Sequence, residues 1–117
     1  MTFDVEIVLR DRSYAVTERV LHRGNDAAHW TDADVESVLK AILLAMDRVR
    51  NPAQEDRFVA LRGFSWIVEP VEAGVVVAIE IPMGAAVAGP FDIAQPQLDR
   101  MISRVLAAAG PKPPSIH

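Results

Sequence analysis

Phe3, Val5, Ile7 and Leu9 alternate with Asp4, Glu6, Val8 and Arg10. A period of two describes a strand with one buried face. Asp11, Arg12 and Ser13 form a turn, and residues 14–22 read as the return strand. Its alternation is poorer: Glu18 falls among Tyr14, Val16 and Val20, a mixture that an edge strand tolerates. After Gly24, Asn25 and Asp26 the period changes to that of a helix. Thr31 is a good N-cap, with Asp34 three residues on as an acidic form of the capping box. Trp30 and Val35 have the spacing of a hydrophobic staple. Val35, Val38, Leu39, Ile42, Met46 and Val49 form one apolar stripe. Arg48 and Arg50 complement the negative end of the dipole, and Asn51 and Pro52 end the helix.

The same grammar then repeats. Residues 57–69 read as one long strand with Gly63 in its middle. A bulge at Arg62 and Gly63 would place Val59, Leu61, Phe64, Trp66 and Val68 on a single face. Val75, Val77, Ile79 and Ile81 mark the next strand. Residues 82–90 are small, apolar and rich in Gly and Pro, and read as a loop. The second helix starts after a cap at Asp92 or with Pro96 as its first helical residue after Gln95, and carries Leu98, Met101, Ile102, Val105, Leu106 and Ala109 inward. Gly110 and Pro111 stop it.

These elements predict an α+β, two-layer sandwich in the order ββαββα. A four-stranded, mostly antiparallel sheet carries two helices on one face. Residues 1–110 are expected to form a single domain, and 111–117 a flexible Pro-rich tail. At 117 residues the chain can bury a real core. Its hydrophobic fraction of 50% and charged fraction of 24% fit an ordinary globular protein. No apolar run reaches the ~18 residues of a membrane span, and the N-terminus lacks the regions of a signal peptide, so a cytoplasmic protein is expected.

The absence of cysteine excludes disulfides, thiolate metal sites and cysteine nucleophiles. The net charge of −4, with basic residues answered by nearby acids, lacks the basic footprint of a nucleic-acid binder. His22, Asp26 and His29 lie close in sequence but match no zinc spacing. Gly84 and Gly89 are not followed by the Lys and Ser or Thr of a phosphate loop. Ser65 and Ser103 sit in no nucleophile-elbow pattern. No catalytic set, metal site or cofactor is therefore assigned.

Two surfaces stand out. Leu44 lies opposite the apolar stripe of its helix, and the outward face of the sheet carries Val8, Leu21, Val76 and Ala78 among its charges. Leu44, Val8, Val76 and Ala78 are the expected interface residues of a non-catalytic binding or assembly domain, acting as a homo-oligomer or on a protein partner. The alternative is a small-molecule site or enzyme with a pocket near residues 82–90, using Arg62, Glu80, Gly84 and Gly89.

Overall fold

The computed structural model describes residues 1–109. The stop expected at Gly110 and the tail expected over 111–117 lie outside them. The strands are β1 (Thr2–Leu9), β2 (Ala15–Leu21), β3 (Ser65–Val71), β4 (Gly74–Ile81) and β5 (Gly84–Phe91). The helices are α1 (Asp32–Arg50) and α2 (Gln95–Ala109), with a single 3-10 turn at Ala27–His29 before α1. The architecture is α+β, with one five-stranded antiparallel sheet in the order β2-β1-β5-β4-β3.

The expected order ββαββα is thus corrected to ββαβββα, and four strands to five. The segment expected to loop, 82–90, supplies most of β5, the central strand. It turns back after Ile81 through Pro82 and Met83, then pairs with β4 on one side and β1 on the other. Ala86 and Ala88 point inward and are buried, while Val87 between them points outward. Alanine and glycine have weak strand preferences, so local composition hid an alternation that two neighbouring strands enforce.

The long strand expected over 57–69 begins only at Ser65. Residues 51–64 run without regular structure, so there is no ladder at Gly63 for a bulge to interrupt. The core assignments nevertheless hold: Leu61 is buried, and Val59, Phe64 and Trp66 pack against the core. Arg57 pins this segment, its guanidinium 2.9 Å from Asp47 Oδ2 and donating to Asn51 O.

A bulge does occur, in β5. Val75 pairs with Phe91 and Val77 with Ala88, so Gly89 and Pro90 stand opposite Val76 alone. The extra residue changes which face the strand presents. Without it Pro90 would point inward after Ala86 and Ala88; with it Phe91 does. Phe91 is 1% exposed and packs against Phe3 at 5.2 Å and Trp30 at 4.9 Å between ring centroids. Gly89 has φ +125°, a conformation that suits glycine.

The inward residues of all five strands join the apolar stripes of both helices in one core. α1 lies against β1, β2 and β5, and α2 against β3. α1 begins and ends as its capping signals indicate, with Thr31 as N-cap in a complete capping box and Asn51 as C-cap. α2 starts at Gln95, which puts Pro96 in the first turn, where its missing N–H costs nothing. β2 is an edge strand. Its inward Glu18 reaches the sheet border, 3.6 Å from Arg48. The other edge, β3, contains Pro70, which a central strand would exclude.

Candidate functional site

No element among the described residues covers the face of the sheet opposite the helices. Strand alternation fixes its occupants: every inward position lost to the core leaves its neighbours outward. Pairing across the sheet gives three rows. One runs Ala15, Val8, Ala85, Glu80, Ser65; the next Thr17, Glu6, Val87, Ala78, Ile67; the third Arg19, Asp4, Gly89, then Val76 and Glu69. Val71 at the end of β3 and Leu21 at the end of β2 lie one row further out.

Several large apolar side chains on this face are exposed to water: Val8 43%, Leu21 54%, Ile67 52%, Val71 42% and Val87 41%. Alanines at 78 and 85 leave a shallow depression of about 340 Å³ bordered by Ile67, Val87, Ser65 and Glu80. It is open to solvent, and only the last two side chains on that border are polar.

Of the residues expected at an interface, Val8, Val76 and Ala78 all belong to this face. Leu44 does not: it lies on α1, half-buried. Of the residues of the alternative ligand site, Glu80 borders a hollow of about 410 Å³ with Arg10, Gly63, Ser65 and Pro82, beside the Ile81–Gly84 pair. Glu80 points outward from β4, whereas Arg62 is exposed in the segment before β3. Gly84 and Gly89 belong to β5 rather than to a covering loop. Val87, Ala85 and Ile67 were not singled out from the sequence. The alternation of Ala86 and Ala88 about Val87 was the available signal for the first.

A second cluster surrounds Asp34, whose side chain is almost wholly buried. Its carboxylate accepts from Thr31 N at 2.9 Å, Thr31 Oγ at 3.0 Å, Asn25 N at 3.2 Å and Asn25 Nδ2 at 2.9 Å. His22 Nε2 is 3.0 Å away and, facing a carboxylate, must carry the proton. The Thr31 backbone N–H holds Asp34 well below the ordinary 3.8, against the upward push of burial. Asn25, His22 and the Thr31 hydroxyl add to the lowering. Trp30 Nε1 donates to Asn25 O and closes the cluster. His22 and Asn25 tie the β2 exit to the α1 N-terminus and the Thr31 bonds close that terminus, so the arrangement is a satisfied structural joint.

Asp26 and His29, considered with His22 as metal ligands, are exposed, and no group of three His, Asp or Glu among the described residues is placed to hold a metal. Ser65 lies on the open sheet face and Ser103 on the exposed side of α2. No helix among the described residues is long and apolar enough to cross a membrane. No family model, no characterised protein and no solved structure matches this chain.

Proposed function

We propose that the chain is a non-catalytic association domain that presents the open face of its sheet to another protein. The observation that carries this reading is the set of exposed valines and Ile67 on a face that no element among the described residues covers. Isolated exposed apolar side chains are ordinary, but a contiguous group spread over four strands marks an interaction surface. The expected interface residues Val8, Val76 and Ala78 fall inside that group. The small-molecule reading draws less support. The depression over Ala78 and Ala85 is shallow, with Ser65 and Glu80 as its polar groups, whereas ligand sites enclose their ligand with several convergent polar groups.

Site-specific photo-crosslinking tests the proposal. A photoreactive residue at position 87, in the full chain expressed in cells, is expected to give a discrete protein adduct. The same residue at Ser103, exposed on the opposite layer, serves as control. Equal labelling from both positions would remove the reason to regard the open face as a docking surface. Mass spectrometry of the adduct separates a second copy from a different protein.

A further inference from the structure

The outward residues do more than form an apolar patch; they form a line with charged borders. Val8 on β1, Val87 on β5, Val76 on β4 and Val71 on β3 occupy successive strands, each two residues further along than the last. Strands stand about 4.8 Å apart and two residues advance about 6.8 Å, so the line crosses the sheet at about 35° to the strands and spans about 25 Å. Ala78 and Ala85 border it on one side and Gly89 on the other, leaving backbone within reach of an incoming side chain. Beyond these lie carboxylates on both flanks: Glu69 and Glu80 on one, Asp4 and Glu6 on the other. Two bases lie at this face: Arg19, 3.7 Å from Asp4, and Arg10, which borders a hollow with Ser65 and Glu80 beyond Val8.

Resting on the reading of this face as a docking surface, we infer that its occupant is a basic amphipathic helix of a partner protein, with one apolar stripe and Lys or Arg along both borders. A span of about 25 Å corresponds to about 16 residues of helix at 1.5 Å per residue. The charge pattern excludes the other occupants. Anionic lipid and nucleic acid would meet four acids against two bases, of which Arg19 is paired with Asp4. A second copy docked face to face would bring together two faces that both carry an excess of acids, Asp4, Glu6, Glu69 and Glu80 on each. Nor does a second copy offer a suitable helix, because α1 and α2 both spend their apolar stripes on their own core.

The test uses the isotope-labelled full chain and two synthetic 18-residue helical peptides. Both carry the same leucine stripe; one is bordered by lysines, the other by glutamates. The lysine peptide at up to about 1 mM is expected to shift backbone amides along the line from Val8 to Val71, with affinity falling as salt rises. Glu6→Lys combined with Glu80→Lys should weaken it at least tenfold and bring the glutamate peptide onto the same amides. Both side chains are exposed, and a preserved amide spectrum shows that the variant folds.

Binding of the glutamate peptide to the native face as tightly as the lysine peptide would overturn the basic helix and keep the face. Shifts that follow protein concentration alone would make a second copy the occupant, with the same consequence. Silence of these amides with both peptides overturns the inference; silence together with no adduct at position 87 overturns the docking face as well.

Discussion

Asp34 gathers five donors into the first turn of α1, so removing its carboxylate leaves several polar groups without a partner at once. Asp34→Ala is expected to cost about 3 kcal/mol in urea denaturation, more than the ~1 kcal/mol of losing the Thr31 cap alone. The pH dependence has a definite sign. A carboxylate whose folded pKa lies below its unfolded value contributes stability that is complete above about pH 4 and is lost as pH falls toward the folded value. The stability gap between the native chain and Asp34→Ala should therefore be constant near neutrality and shrink below pH 4. A gap that stays constant down to pH 2 would show that the charge contributes nothing. Gly63 adopts a positive φ of +77°, yet an added Cβ would meet nothing within 4 Å. Gly63→Ala should cost about 1 kcal/mol, the penalty of the left-handed conformation alone.

At the scale of elements, β5 carries the test of the topology. Ala88 is fully buried beneath the helices, whereas Ala85 faces outward in the same strand. Ala88→Leu should overpack the core and cost about 2 kcal/mol, while Ala85→Leu should stay within about 0.5 kcal/mol of the native chain. Equal tolerance at both positions, read from denaturation midpoints, would mean that 84–91 does not alternate between two faces. The segment 51–64 depends on the Arg57–Asp47 pair rather than on a ladder, since it has no regular structure. Arg57→Ala should raise hydrogen exchange at Leu61 and its neighbours before it affects the sheet.

For the whole molecule, the sheet divides the chain into a layer buried under the helices and an open face that is the proposed docking surface. Its outward carboxylates oppose self-association through that face even though the valines favour it. Light scattering of the native chain over a concentration series at low salt should return a monomer mass. Glu6→Gln with Glu80→Gln should permit dimers by removing repulsion at the apolar line. A native dimer whose mass halves on Val87→Lys would instead reinstate the homo-oligomer, with this face as its contact.

Periodicity and capping chemistry determine α1, β1, β4 and the body of α2, because each carries its own pattern over enough residues to exceed local ambiguity. Thr31 and Asp34 specify a helix start by bonds within four residues. Val8, Val76 and Ala78 were legible as a bare face for the same reason that Phe3, Val5 and Ile7 were legible as core: alternation. Tertiary structure alone decided β5 and everything that depends on it. Ala86 and Ala88 take their conformation from pairing with β4 across a tight turn and with β1, about eighty residues earlier in the chain. The bulge at Gly89 is likewise defined only against Val76. The line of four valines needs the strand order β1-β5-β4-β3 to exist at all. Local sequence sets which face each residue takes; which residues then become neighbours is set by long-range pairing, and a docking surface is made of neighbours.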